Sequence, residues 1–513
     1  MTSSGFLSLG DNYQVPLKLF EENRDRLRSQ LPSQSAIVVL KGGPSPTRFD
    51  TDHEPIFRQE SYFWWLTGVK EPDCGVVLTS NDVILFVPQL PADYATIMGH
   101  IRTPEEWRDQ YGVDRVLYNH ELESTLETLL SGAMDPKIFT LKGKNSDSGS
   151  IYDLAPTFSI PSLSSLVDDS TLFPIIAECR VIKSPAELQL LEHVTQITSF
   201  AHSYVMRNIK PLMWEFQAES LFRHYTYYNY GSRLQSYTSI CGCGPNAAVL
   251  HYGHTGEPNS RQLGEDDNCL FDMGAEYQCY ASDVTCSFPA SGRFSEKYKP
   301  IYQAVLDAQV AVYRMLRPGV SWVDCHKEAE AVIIKALANL GIIELWDKTV
   351  QELIEMRLGA VFMPHGLGHF IGIDTHDVGG YLPGHPERIM KPGLKSLRTA
   401  RILKPNMVLT VEPGCYFIDH LLDTAIQDPV LSPHIRADRL QQYRGYGGVR
   451  LEDVVWIPSE GPCVNFTLCP RTVKEVEHVM AGGKWPPMVD DAPELRRVNL
   501  TKPNSPLGPP PSN

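Results

Sequence analysis

Along the first third of the chain, short runs of apolar, β-branched residues alternate with stretches of helical periodicity. The runs read SAIVVLKGG, CGVVLTSNDVILFVPQL with a turn at Ser80-Asn81-Asp82, and KIFTLKG. Such alternation predicts strands joined by turns and helices, a small α/β domain. The aromatic cluster FRQESYFWWLTG, Phe57 to Gly68, fits the core of that domain. At Ser184-Pro185-Ala186-Glu187 the pattern changes. A capping box with proline at its first helical position opens a long helical stretch, LQLLEHVTQITSFAHSYVM, and marks the start of a second domain. That domain carries two more helical patterns, YQAVLDAQVAVYRML and HKEAEAVIIKALANLG, with β-rich runs after each helical block. From Trp485 onward proline dominates, which predicts a mobile tail over 485–513.

Composition narrows the class. The 513 residues hold 61 acidic and 46 basic side chains, a formal charge of -15 that repels nucleic acid and anionic membrane surfaces. No run of eighteen apolar residues and no secretory leader pattern is present, so the expected compartment is the cytoplasm, with no membrane partner. Eleven scattered cysteines, an odd number, exclude a complete disulfide framework. The sequons at Asn465 and Asn499 read as chance matches.

The segment FMPHGLGHFIGIDTHDVGG holds His365, His369 and His376. HxxxH on a helix would grip zinc, but Gly366 and Gly368 each cost about 1 kcal/mol in a helix, and the glutamate of HExxH is missing. A metal-binding histidine here needs co-ligands from elsewhere. In CLFDMGAEYQCYASDVTCSF, a turn near Tyr277 and Gln278 would set Asp272 and Asp283 on one face of a hairpin. Two buried carboxylates so placed need a cation between them or a proton on one. Glu412 in MVLTVEPGCYF and Glu452 in GGVRLEDVVWI are single acids within apolar β-forming runs. Four carboxylates and an imidazole form a hard, oxygen-rich set suited to manganese or cobalt, and bridging carboxylates would hold two ions with a water between. Metal-assisted hydrolysis is the reaction class this chemistry predicts.

The ordered set Asp272, Asp283, His369, Glu412, Glu452, with PHGLGHFIG and TVEPGCYF around two of its members, resembles the dinuclear metallopeptidases of the pita-bread fold, and within them the prolidase branch. The resemblance spans nearly the whole chain. It implies an α/β creatinase-like N-terminal domain over 1–183 and an α+β pita-bread catalytic domain with a curved antiparallel sheet over 184–484. It implies that Asp272 binds one metal, that His369 and Glu412 bind the other, and that Asp283 and Glu452 bridge them. Two Mn2+ per subunit, with Co2+ or Zn2+ as substitutes, and a homodimer follow in the same way. So does the activity: hydrolysis of Xaa-Pro dipeptides by hydroxide held between the ions, with Glu412 moving the proton.

By the same resemblance His251 in LHYGH and His376 in THD line the substrate pocket as catalytic hydrogen-bond donors, and Arg398 clasps the carboxylate of a C-terminal proline. Tyr237 and Arg450 are expected to support the pocket, and His365 to orient neighbours without binding metal. After Glu452 the acidic run is one residue shorter than the family pattern, which leaves the following strand register open. Two alternatives stand beside the dipeptidase: an aminopeptidase P acting on longer Xaa-Pro peptides, and a pita-bread binding module without catalysis. Some relatives also hydrolyse organophosphate esters.

Overall fold

The computed structural model describes residues 6–7, 13–32, 36–133 and 135–501. The chain divides into two compact units, one comprising Gln14–Glu187 and the other Tyr13 together with Leu188 onward. Among the described residues no helix is long and apolar enough to cross a membrane.

In the first unit the apolar runs become a six-stranded mixed sheet. Its centre is an antiparallel meander of Ala36–Lys41, Gly75–Leu78 and Val83–Val87, flanked by parallel neighbours Lys137–Phe139 and Arg115–Tyr118. Thr79 N bonds to Asp82 O at 3.0 Å and closes the turn between two of these strands. Ile37, Val39, Val77, Ile84 and Phe86 point into one core with Leu126 and Ile138. The aromatic cluster forms the helix Ser61–Thr67, buried at every position. The Glu60 carboxylate caps its first turn, and Gly68, at φ 71°, ends it in the left-handed region.

The capping box at the boundary forms: Ser184 N reaches Glu187 Oε2 at 2.7 Å and Glu187 N reaches Ser184 Oγ at 3.2 Å. The first unit nevertheless extends past the expected limit of 183 to Glu187. The reason is electrostatic and local. Glu187 is buried, accepts from Trp65 Nε1 at 3.0 Å and pairs with Arg26 at 2.6 Å, so the opening turn of the helix Pro185–Asn208 belongs to the first core.

Among the described residues of the second unit the pairings between full strands are antiparallel, distributed over several short sheets. Asn268–Asp272 lies between Ile240–Cys243 and Thr285–Pro289. Val408–Val411 pairs with Asp453–Trp456, and Gly414–Tyr416 with Gly448–Arg450. The helices Tyr298–Met315 and Trp322–Asn339 carry two buried side chains that reach the backbone of these elements. Gln309 Nε2 donates to the carbonyls of Val411 and Leu451, both at 3.2 Å, and Trp322 Nε1 donates to that of Gly368 at 3.2 Å. Those three residues immediately precede Glu412, Glu452 and His369. At the start of the described second unit, Tyr13 stacks on His193 at 5.0 Å, and its carbonyl accepts from the Tyr277 hydroxyl at 2.9 Å.

The expected tail at 485–513 needs correction over its described part. Trp485 is buried and donates to Leu468 O at 2.7 Å, and Leu495 and Leu500 are buried as well. Asn465 N bonds to Arg496 O at 3.0 Å and Val498 N to Asn465 O at 2.8 Å, a parallel bridge beside the strand Val464–Asn465. Arg497 pairs with Glu475 at 2.8 Å. A few apolar anchors and one arginine outweigh the proline composition here. The remainder, 502–513, lies outside the described residues.

Candidate dinuclear metal centre

All four expected carboxylates stand where a strand stops or breaks. Asp272 ends its strand opposite Thr285, and Asp283 lies two residues before Thr285, so both project from one face. The turn between them sits at Gln278 and Cys279, both at positive φ (49° and 60°), the geometry of a tight hairpin. Glu412, followed by Pro413, fills the gap between Val408–Val411 and Gly414–Tyr416. Glu452 fills the gap between Gly448–Arg450 and Asp453–Trp456. The register beyond Glu452 is definite: Asp453 pairs with Val411, and its side chain turns away to Arg471 at 2.5 Å and Tyr313 at 2.5 Å.

His369 arrives on a non-helical segment bridged to the strand Val408–Val411, with Thr410 N bonded to His369 O at 2.9 Å. The two glycines are required by close approach. A Cβ at Gly368 would lie 2.1 Å from Thr410 O, and one at Gly366 would lie 2.9 Å from Leu397 Cα. His369 Nδ1 lies 2.9 Å from Phe370 O, and since a carbonyl only accepts, Nδ1 carries the proton. Its Nε2 lone pair then faces Asp283 Oδ2 at 3.3 Å, Glu412 Oε1 at 3.6 Å and Glu452 Oε1 at 4.0 Å. A lone pair facing three carboxylates calls for a proton or a cation among them.

Ligand atoms group as His369, Glu412 and Glu452, as Asp272, Asp283 and Glu452, and as Asp283, His369 and His376, each within 4.8 Å. Glu452 is common to the first two groups, and Asp283 joins the second to His369. The electrostatics fit cations in this place. Burial and the charge of Asp283 push Asp272 up to about 6. Burial, with Asp283 and Asp272, pushes Glu412 up to about 7 against the pull of His369. Glu452 is driven well above the usual carboxylate range by burial and its three acidic neighbours. Asp283, despite its burial, is held below that range by His369, and its Oδ1 has no hydrogen-bond partner. Hard oxygen donors, an unpartnered oxygen and one correctly oriented imidazole match divalent metal ions.

A cavity of about 510 Å³ opens over this cluster. Every residue singled out from the sequence lines it: the five ligand candidates with Tyr237, His251, His365, His376, Arg398 and Arg450. Their placement refines several roles. Tyr237 OH donates to Asp272 Oδ1 and Arg450 Nη2 to Asp272 Oδ2 at 2.6 Å, so the two expected pocket supports are bonded to a ligand candidate. His365 Nδ1 lies 2.7 Å from Gly366 O and 3.8 Å from Glu412 Oε2, and burial with the charge of Arg450 takes its pKa down to about 3. The His376 ring meets that of His369 edge-on at 4.5 Å; burial, then the charges of His369 and Arg398, hold its pKa down at about 2. Burial and Arg398 likewise lower His251.

Four contributors were not singled out from the sequence. His254 lines the cavity beside His251, their rings 6.3 Å apart. Tyr416 accepts from Arg450 Nη1 at 2.9 Å. Thr285 and Thr410 bond to ligand candidates; each lies two residues from an acid, on the same strand face, and that spacing was the available signal.

A two-unit chain with a six-stranded mixed sheet in one unit, and a buried four-carboxylate, one-histidine cluster among antiparallel strands in the other, defines a metallopeptidase. The chain belongs to metallopeptidase family M24, whose model matches residues 189–459; the model for the aminopeptidase P N-terminal domain matches 20–139. Human Xaa-Pro dipeptidase is 48% identical over 489 residues, 94% of this chain and 97% of the relative. A probable Xaa-Pro aminopeptidase of Verticillium alfalfae is 34% identical over 89% of this chain and 94% of its own. Among solved structures, aminopeptidase PepP of Pseudomonas aeruginosa aligns with a TM-score of 0.73 at 27% identity, over 91% of this chain and 98% of that one.

Proposed function

We propose that this chain hydrolyses Xaa-Pro dipeptides with two Mn2+ per subunit, held by Asp272, Asp283, His369, Glu412 and Glu452. The observation that carries the reading is the polarity of the cavity: a carboxylate cluster in the same 510 Å³ space as Arg398, His251, His254 and His376. A dipeptide is a short dipole, and such a cavity receives both of its ends. When bound, the two ions supply a nucleophilic water at neutral pH and polarise the scissile carbonyl. The protein groups do the rest. Arg398 pairs with the carboxylate of the C-terminal proline, which limits substrate length. His251 and His376, kept neutral by burial and by Arg398, donate N–H bonds to the oxygen that gains charge. Glu412, the most exposed of the four carboxylates at 17% of its side chain, takes and returns the proton.

The relatives named Xaa-Pro dipeptidase support this substrate class. The relatives and structures named as aminopeptidases favour the second reading, removal of the first residue from longer Xaa-Pro peptides. Metal-stripped protein, restored with one metal at a time and given Gly-Pro and Gly-Pro-Gly-Gly, separates them. The dipeptidase reading expects Gly-Pro turnover restored best by Mn2+, with the longer peptide at least about tenfold slower in kcat/KM from loss of the Arg398 pairing. Faster cleavage of the tetrapeptide would replace it with the aminopeptidase. No turnover with any metal would leave a binding module. We further infer a homodimer, checked by sedimentation, and a cytoplasmic home, a reading supported by buried thiols such as Cys74, Cys241, Cys269 and Cys415 that stand outside any disulfide.

A further inference from the structure

Around the cluster, one hydroxyl has its hydrogen-bond direction forced. Thr285 Oγ1 is fully buried and lies 3.0 Å from Arg450 Nε and 2.7 Å from Glu452 Oε2. A guanidinium N–H can only donate, so the hydroxyl oxygen accepts there, and to an ionised Glu452, the form that holds metal, its single proton is donated. Arg450 is itself fixed, by Asp272 Oδ2 at 2.6 Å and Tyr416 OH at 2.9 Å. A chain of directed bonds therefore runs from Asp272 through Arg450 and Thr285 to Glu452, joining a ligand candidate at a strand end to one between two strands through one hydroxyl. The backbone reinforces the same point, for Glu452 N donates to Thr285 O at 3.1 Å. With Oε2 tethered, Oε1 is the oxygen turned to His369. Thr410 repeats the arrangement more loosely: it accepts from His369 N at 3.1 Å and donates to Glu412 Oε1 at 3.4 Å.

We propose that Thr285 is a positioning residue for the metal centre, its hydroxyl holding Glu452 in the orientation that lets the carboxylate serve both ions. The proposal rests on the metal-centre reading above. It does not make Thr285 a ligand or a substrate contact. Outer-shell hydrogen bonds of this kind are worth about 10–100-fold in metal affinity. Thr285→Val keeps the shape and removes the hydroxyl; Thr285→Ser keeps the hydroxyl and removes the methyl.

The test is calorimetric titration of Mn2+ into the full-length, metal-stripped wild type and both variants. Thr285→Val is expected to bind Mn2+ about 10–100-fold more weakly at one or both sites, with Thr285→Ser within about threefold of wild type. The KM for Gly-Pro at saturating Mn2+ should stay within about twofold in both variants, as the residue acts on metal rather than substrate. Wild-type affinity in Thr285→Val overturns the proposal. Equal weakening in Thr285→Ser also overturns it, because packing of the methyl would then be the cause. Should the valine variant fail to fold, Thr285→Ala against Thr285→Ser makes the same comparison. A wild type that takes up no Mn2+ sinks the metal-centre reading itself, a result distinct from any difference among variants.

Discussion

Asp283 and Arg398 line the same cavity with opposite charge, and their replacement should fail in different ways. Asp283→Asn keeps the shape but removes the charge of a carboxylate whose Oδ1 has no hydrogen-bond partner. Metal uptake and Gly-Pro hydrolysis are expected to fall together by more than about 100-fold, read by metal analysis and kcat/KM. Arg398→Ala leaves the metal cluster intact. Removing a charged hydrogen bond of about 1.5–3 kcal/mol should raise the KM for Gly-Pro about 10–100-fold with metal content unchanged. Unchanged KM would remove Arg398 from carboxylate recognition. At this scale the charged residues were legible in the sequence, because a lone acid inside an apolar β run is costly and therefore conspicuous. Thr285 and Thr410 were not singled out, since a threonine belongs in any strand and a spacing of two from an acid is a weak signal until its partner in space is seen.

Strands and helices were legible where periodicity was long and clean. Segments whose form depends on distant partners were not. His369 sits on irregular backbone whose course is set by the strand Val408–Val411 and by Trp322. The segment after Lys484 shows the larger departure: its prolines signal disorder, yet Trp485 and Leu500 are buried, and Trp485 is bonded to Leu468. Trp485→Ala is expected to lower stability by about 3–5 kcal/mol, the range for emptying a buried aromatic site. Denaturant unfolding measures it, and a loss below about 1 kcal/mol would return the segment to the status of a loose tail. Gln309, whose one amide nitrogen holds the peptides before two ligand candidates, has no signal in the sequence apart from being a polar residue in an apolar helix face.

For the whole molecule, the crowded carboxylates couple folding to pH. Groups whose folded pKa is raised bind protons more tightly in the native state, so stability falls as pH rises from the unfolded to the folded value. His193, His365 and His376, held down at about 4, 3 and 2, work in the opposite direction, but only below about 6.5, the ordinary histidine value. Above that, Glu412 at about 7, with Glu452 and His369 also raised, gives a falling slope, opposed by Cys286, whose thiol is held well below its usual value. Chelator-treated protein is therefore expected to melt at a lower temperature at pH 8 than at pH 6.5. Mn2+ should reverse the order, because its ligands must be deprotonated. A chelated protein that gains stability over this interval would show that the carboxylates do not share a confined space.

Tyr13 gives the chain a timing problem. Its carbonyl accepts a hydrogen bond from a residue 264 positions later, and its ring closes over His193 in the unit that is completed last. At about 5–20 residues per second on the ribosome, that interval is on the order of tens of seconds. Tyr13 must wait while Gln14–Glu187, a compact unit in its own right, can already fold behind it. Tyr13 is thus among the last of the described residues to find its place.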